Sequence, residues 1–161
     1  MKRSYRAEKR KFTTFHKAGI LFMPEQIELI KTGSITQTLR RSNNQTHLIR
    51  LDDGCPVFNI KGIEKRFCCP HLRFGNTLYL KDMWKQRKQD NKGYIEVEEK
   101  EFMYLGDIDD EIIVATGAKD LEEFVTIWNL INHKSDRWER NPLVWRLKFR
   151  YIGNINEETK R

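Results

Sequence analysis

Hydrophobic and polar residues alternate most regularly in LVWRLKFRYI, Leu143 to Ile152, near the end of the chain. Apolar or aromatic residues hold every odd position from 143 to 151, whereas Arg146, Lys148 and Arg150 lie between them. Side chains of a β-strand alternate between its two faces. The segment is therefore predicted to be a strand with one apolar face toward a core and one basic face toward water or phosphate.

A second periodicity precedes that strand, where apolar residues recur at intervals of three and four between residues 120 and 131. This spacing is typical of an amphipathic helix. Asp120 suits the N-cap, and Glu123 stands where a capping box places an acid. An earlier helix is predicted at PEQIELIKT, because Pro24 suits a first helical position and Gly33 follows the end.

Short apolar segments bounded by turn residues predict the remaining strands. They are Ala18–Phe22, His47–Leu51, Pro56–Lys61, Thr77–Trp84 and Tyr94–Leu105. Mixed strands with two good helices predict a small α+β, barrel-like domain. We expect it to span residues 18–155, after a basic arm at 1–17 and before a short tail at 156–161.

Composition is compatible with one such domain, since 161 residues with 39% apolar content can form a single core. No apolar run reaches the roughly 20 residues that span a bilayer, and no hydrophobic signal segment follows the basic N-terminus. We therefore expect a cytoplasmic protein. Cys55, Cys68, Cys69 and His71 lack the spacing of a zinc site, so neither a metal nor another cofactor is expected.

The net charge of +7 is concentrated at the start of the chain. The first eleven residues contain one acid, Glu8, and six basic residues: Lys2, Arg3, Arg6, Lys9, Arg10 and Lys11. Such an arm attracts phosphate groups independently of sequence and in a salt-dependent way. The alternative is a solvated tail that only aids solubility.

The stretch GSITQTLRR, Gly33 to Arg41, has the composition of a binding loop. Hydroxyl and amide groups can contact a base edge, and arginines can hold phosphate in bidentate fashion. The candidate binding residues are Thr36, Gln37, Thr38, Arg40 and Arg41. Alternatively, the threonines only turn the backbone after the helix and the arginines are solvated. The tryptophans at 128, 138 and 145 have core-like spacing, and Trp84 is also expected to be structural.

Three segments, in this order, resemble the ASCH domain, a relative of the PUA fold, in its bacteriophage-encoded branch. They are ILFMPEQIELIKTGSITQTLRR from Ile20, CPHLRFGNTLYLKDMW from Cys69, and LEEFVTIWNLINHKSDRWERNPLVWRLKF from Leu121. The resemblance implies a small PUA-like β-barrel with flanking helices and a cleft beside the junction of the first helix and its loop. It also implies binding of RNA or modified nucleosides, in the host cytoplasm.

Some ASCH proteins are amidohydrolases that remove an acyl group from the exocyclic nitrogen of cytidine. Their proposed catalytic set is a lysine and a threonine from a Gly-x-Lys-Thr-x-Thr loop and a glutamate from a later helix. Thr38 matches the threonine, but Ile35 stands at the lysine position and Thr116 at the glutamate position. A hydroxyl nucleophile needs a base, so the resemblance predicts a protein that is not an enzyme by this route.

Two replacements for the missing pair remain open on the sequence. Lys31 could supply the amine from one helical turn earlier, and an acid could come from Asp109, Asp110 or Glu111 if the match is shifted.

The leading hypothesis is a non-catalytic protein that binds RNA or DNA through the arm, the 33–41 loop and the basic strand face. The alternatives are an amidohydrolase acting on N4-acylated cytidine and a phage effector that binds a host protein.

Overall fold

A computed structural model describes residues 18–84 and 86–154 of the protein. The predicted basic arm and the C-terminal tail lie outside the described residues. Within them the chain forms eight strands and three α-helices. The strands are β1 (Ala18–Leu21), β2 (Gln37–Arg41), β3 (Leu48–Asp52), β4 (Cys55–Ile60), β5 (Ile63–Arg66), β6 (Thr77–Lys81), β7 (Tyr94–Tyr104) and β8 (Leu143–Gly153). The helices are α1 (Pro24–Lys31), α2 (Asp110–Ala115) and α3 (Leu121–Ile131).

The strands form two separate sheets of a mixed α+β fold. The larger sheet has the order β1-β6-β7-β8-β2, in which β1 and β6 are parallel and the other neighbours antiparallel. The smaller sheet is the antiparallel series β3-β4-β5. The α+β class is as predicted, but the barrel that the resemblance implies is not closed: within the described ranges, β1 and β2 remain edge strands with no backbone ladder between them.

Strand β8 provides the apolar face that its alternation predicts. Trp145, Leu147 and Phe149 are at most 2% exposed and belong to the main core, which also includes Ile27 and Ile30 of α1. On the opposite face, Val144 joins a second core in which α2 and α3 contribute residues such as Ile113, Phe124 and Trp128. The larger sheet is thus covered on both faces near the end where β2 pairs with β8.

Helix α3 begins as its sequence predicts. The carboxylate of Asp120 accepts a hydrogen bond from the backbone N–H of Glu123 at 2.9 Å, so Asp120 is the N-cap. The Glu123 carboxylate accepts from the N–H of Lys119 at 2.6 Å, one residue before the position that a capping box uses. Helix α1 likewise begins at Pro24 and ends before Gly33, whose φ of +81° suits glycine.

Three elements differ from the predictions. Strand β6 ends at Lys81, so Trp84 lies beyond it and is 77% exposed, not structural as expected. Strand β5 was not predicted because IEKR is polar and all four residues are exposed in an edge strand. Helix α2 was missed because it is only six residues long.

None of the helices in the described part of the chain is long and apolar enough to span a bilayer.

Candidate functional site

The segment predicted as one loop from Gly33 to Arg41 is only half a loop. Residues 33–36 connect α1 to β2, and residues 37–41 pair with β8, beginning with Gln37 opposite Lys148. The loop is fixed from both sides. The N–H of Thr36 donates to the carbonyl of Ala115 in α2, and its carbonyl accepts from the N–H of Phe149, both at 2.9 Å.

Pairing with β8 separates the candidate binding residues into two sets. Thr38 lies opposite Leu147 and Arg40 opposite Trp145, so both face the side of the sheet that carries the main core. Gln37 faces the other side, where its amide oxygen accepts a hydrogen bond from Nη1 of Arg146 at 2.9 Å. Even so, Gln37, Thr38, Arg40 and Arg41 all line one of two adjoining pockets, whereas Thr36 lines neither.

Arg40 is a half-buried cation without a carboxylate partner among the described residues. Its Nε donates to Oγ1 of Thr38 at 3.1 Å, and its Nη2 donates to the backbone carbonyl of Leu21 at 2.7 Å. The guanidinium carbon lies 4.7 Å from the centre of the Phe22 ring. Burial lowers the pKa of Arg40 to about 10, so the group remains positively charged at neutral pH.

Arg40 lines a pocket of about 550 Å³ between the end of β1, strand β2 and the end of α3. Polar groups from four segments meet there, including Gln26, Thr38, Asn43, His71 and Asn132. Burial, with a smaller contribution from the Arg40 charge, lowers the pKa of His71 to about 4. His71 is therefore neutral at pH 7. Sequence reasoning weighed it only as a metal ligand, since nothing near it in the chain indicates a contact with β2.

A smaller pocket of about 170 Å³ shares part of this lining, including Phe22, Thr38 and Leu39. We call the two pockets together the cleft. Ile35, Thr38 and Thr116 all line the smaller pocket, so the three positions matched to the catalytic set lie around one cavity. The side chains that line the smaller pocket are uncharged.

The smaller pocket is closed tightly behind Ile35. This side chain is 3% exposed, and a Cβ atom built on Gly117 would lie 2.9 Å from its Cδ1. The hydroxyl of Thr116 donates to the carbonyl of Ile113 at 2.7 Å, which places it at the end of α2 as a cap. Neither residue can accept or hold a proton for a threonine nucleophile.

The alternative acids and amine lie elsewhere. Asp109 caps α2 by accepting from the N–H of Ile112 at 2.8 Å, and Asp110 and Glu111 are exposed in the first turn of that helix. Lys31 is exposed and pairs with Glu28 at 3.7 Å. None of these side chains lines either pocket of the cleft. The structure thus gives no support to a rearranged catalytic pair built from them.

The basic face predicted on β8 is matched by carboxylates of β7. Arg146, whose side chain is 12% exposed, pairs with Glu101 at 2.9 Å and with Glu99 at 3.5 Å. Arg150 pairs with Glu96 at 2.8 Å, and Lys148 lies 3.9 Å from Glu99. The acids interleaved in β7 lie beside these cations because the two strands are antiparallel neighbours. This face is therefore an unfavourable phosphate-binding surface, contrary to the expectation.

The cysteines offer no metal site among the described residues, where no suitable cluster of His, Cys, Asp and Glu occurs. Cys55 and Cys69 are buried, and Cys68 is exposed. Burial raises the pKa of the Cys69 thiol, which keeps it protonated at neutral pH. Cys69 belongs to the main core, and Cys55 is buried at the start of β4.

No protein-family model, curated protein or solved structure matches the chain significantly.

Proposed function

We propose that this protein is an ASCH-like nucleic-acid-binding protein of the bacteriophage type whose cleft holds a nucleotide without hydrolysing it. The observation that carries the proposal is the Arg40 guanidinium, which is half-buried, charged and without a carboxylate partner in the described part of the chain. A cation in this situation gains most from an anionic ligand, because a partly buried charge without a counter-ion is unfavourable. A phosphate group provides that counter-ion.

The smaller pocket supports a nucleotide as the ligand because its uncharged lining suits a neutral, flat group such as a base. Phosphate at Arg40 and a base in the smaller pocket would be adjacent, since Thr38 and Leu39 line both pockets. The same lining supports binding without catalysis. With Ile35 and Thr116 at the positions of the base and its acid, the lining of the smaller pocket contains no amine or carboxylate to accept the Thr38 proton.

The basic arm, predicted from residues 1–11, would add sequence-independent attraction to phosphate. In this proposal the arm contributes to binding in addition to the cleft, and the two contributions are separable by experiment. We place the protein in the host cytoplasm, where RNA and phage or host DNA are both accessible to it.

The test is fluorescence anisotropy with labelled single-stranded RNA, duplex RNA and duplex DNA over a series of salt concentrations. We compare the full chain, the same chain without residues 1–11, and the Arg40→Lys variant. Lysine keeps the charge but loses the planar fork that binds phosphate in two places. We expect the full chain to bind, and Arg40→Lys to bind roughly tenfold more weakly, which corresponds to about 1.4 kcal/mol.

Arg73→Lys is the matched control. Its guanidinium also lies over a phenylalanine ring, 5.7 Å from the centre of Phe74, but Arg73 lines neither pocket of the cleft. Equal losses in the two variants would remove the cleft from the proposal. If binding disappears only when residues 1–11 are deleted, the arm alone is the binding element. Absence of binding by the full chain at low salt would overturn the proposal as a whole.

A further inference from the structure

The segment between α3 and β8 carries a group of cations that sequence reasoning did not select. Lys134, Arg137 and Arg140 line a shallow depression of about 400 Å³ together with Glu139. We call these three cations the basic rim. All three are exposed. Lys134 and Arg140 lie in two turns of 3₁₀ helix, Lys134–Asp136 and Trp138–Arg140, and Arg137 lies between the two turns.

The basic rim is fixed to the body of the protein. Nε1 of Trp128 donates to the backbone carbonyl of Asp136 at 2.7 Å, a buried hydrogen bond between α3 and the rim segment. The N–H of Trp138 donates to Oδ1 of Asn129 at 2.9 Å, and the Trp138 ring packs edge-on against Phe124. The rim cations therefore project from a segment whose backbone is held by the second core.

The basic rim is joined to the cleft through Arg41. The guanidinium of Arg41 lies 3.4 Å from the carboxylate of Asp136, which is buried at the centre of the rim segment. Arg41 and Asn132 also line the larger pocket, and Asn132 precedes Lys134 by two residues. A strand that leaves the larger pocket past Arg41 would meet the basic rim next.

The charges of the basic rim are largely free for a ligand. Arg137 pairs with Glu139 at 3.5 Å, whereas Lys134 and Arg140 have no carboxylate within 4 Å among the residues that the structure describes. The cations of β8 differ in this respect, since all three pair with acids of β7. Unpaired exposed cations beside a cleft are suited to the repeated negative charge of a phosphodiester backbone.

We infer that the basic rim holds the phosphates of the nucleic-acid strand whose nucleotide occupies the cleft, with Lys134 and Arg140 as its principal contacts. This inference rests on the proposed function and adds the path that the strand follows. It assigns the rim to backbone contacts, which fix the position of the strand and do not read its sequence.

The experiment measures the salt dependence of binding for the full chain with a labelled single-stranded RNA. The test variant is Lys134→Gln/Arg140→Gln. The control variant is Lys61→Gln/Lys65→Gln, which removes the same charge from the smaller sheet, where neither residue lines the cleft. All four residues are exposed, so we expect both variants to fold normally.

Each phosphate contact contributes roughly 0.7 to the slope of log K against log salt for a single strand. We expect the test variant to lose about 1.4 from that slope and to bind roughly tenfold more weakly at low salt, with little change in the control variant. Equal behaviour of the two variants, with clear binding by the unaltered chain, would overturn the inference and leave the cleft proposal standing. If the unaltered chain binds no nucleic acid, both fall together.

Discussion

The guanidinium of Arg40 donates a hydrogen bond from Nη2 to the backbone carbonyl of Leu21 at 2.7 Å. Leu21 is the last residue of β1 and Arg40 lies in β2, so this bond joins the two edge strands of the larger sheet. A side chain thus bridges the gap that a backbone ladder would close in a barrel. The same side chain lines the cleft, so the residue that bridges the edge strands is also the one to which we assign phosphate binding.

The first prediction concerns that bridge. Arg40→Ala removes the hydrogen bond to Leu21 and the contact with the Phe22 ring, and we expect it to lower the free energy of unfolding by about 1 to 3 kcal/mol. Urea unfolding followed by tryptophan fluorescence measures the change. Arg73→Ala, which removes an exposed guanidinium over Phe74, should change stability by less than about 0.5 kcal/mol. An equal loss of stability in both variants would show that the hydrogen bond between Arg40 and Leu21 does not stabilise the fold.

Periodicity predicted the long elements of this fold well and the site poorly. In strand β8, Leu143, Trp145, Leu147 and Phe149 are buried on one face as the alternation predicts, because the main core covers that face. In contrast, β2 alternates between two faces of the sheet, so Thr38 and Arg40 share the face of the main core while Gln37 bonds to Arg146 on the other face. That division depends on pairing with a strand more than 100 residues away, which is the separation between Gln37 and Arg146.

The ion pairs of β8 and the position of His71 also depend on contacts that are distant in the chain, so they could not be predicted from local sequence. The ion pairs between β7 and β8 follow from strand pairing, and the alternation of one strand says nothing about the acids of its neighbour. His71 enters the cleft through a 3₁₀ turn at Pro70–Leu72 that no periodic signal marks. The basic rim was missed for a similar reason, because its cations are separated in the chain by acids and aromatic residues. Local pattern predicts elements, whereas tertiary contacts assemble the site.

A second prediction tests the packing behind the smaller pocket. Gly117 has a φ of +95°, and an added Cβ would lie 2.9 Å from Cδ1 and 3.0 Å from Cγ1 of Ile35. We expect Gly117→Ala to destabilise the protein by about 1 to 3 kcal/mol, and Ile35→Ala by about 2 to 4 kcal/mol.

The double variant of these two positions separates backbone strain from collision. Alanine at residue 35 lacks both atoms that the new Cβ would meet, so the cost of Gly117→Ala should be smaller in that background. We expect a coupling of at least about 0.5 kcal/mol from the four urea unfolding curves. Strict additivity would show that only the φ angle of Gly117 matters.

A third prediction concerns pH. The pKa of His71 is lowered from 6.5 to about 4 in the folded protein, first by burial and then by the Arg40 charge. Between these values the unfolded chain binds a proton that the folded protein does not, so stability is full above pH 6.5 and falls as the pH decreases toward 4. We expect a loss of about 1 to 2 kcal/mol between pH 6.5 and about 4.5 from this residue.

His71→Gln isolates that contribution, because glutamine does not titrate in this range. Urea unfolding of both proteins across the pH series gives the difference between their stabilities. Relative to the unaltered protein, the His71→Gln variant should become more stable as the pH falls, and this relative stability should become constant below about pH 4. If the free energies of unfolding of the two proteins change in parallel with pH, the pKa of His71 is not lowered by folding.

A fourth prediction separates structural cations from binding cations. Arg146 is mostly buried between Gln37, Glu99 and Glu101, so Arg146→Ala removes the partner of Gln37 and Glu101 and one of the two partners of Glu99. We expect a loss of about 1 to 3 kcal/mol in stability. Arg150 is 61% exposed, and Arg150→Ala should cost less than about 1 kcal/mol. Neither variant should change the slope of log K against log salt for RNA binding, since both cations already pair with carboxylates of β7. A smaller slope for Arg150→Ala would show that the β8 face contacts phosphate.

The last prediction concerns hydrolysis. N4-acetylcytidine incubated with the purified protein should release no more cytidine than the buffer control, measured by chromatography. The reason is the neutral lining of the smaller pocket, in which the Thr38 hydroxyl has no amine or carboxylate to accept its proton. Thr38→Ala should therefore give the same trace as the unaltered protein. If cytidine is released, and the release is lost in Thr38→Ala but kept in Thr77→Ala, which alters a threonine outside both pockets, the cleft is catalytic and its base is not among the residues that line the smaller pocket.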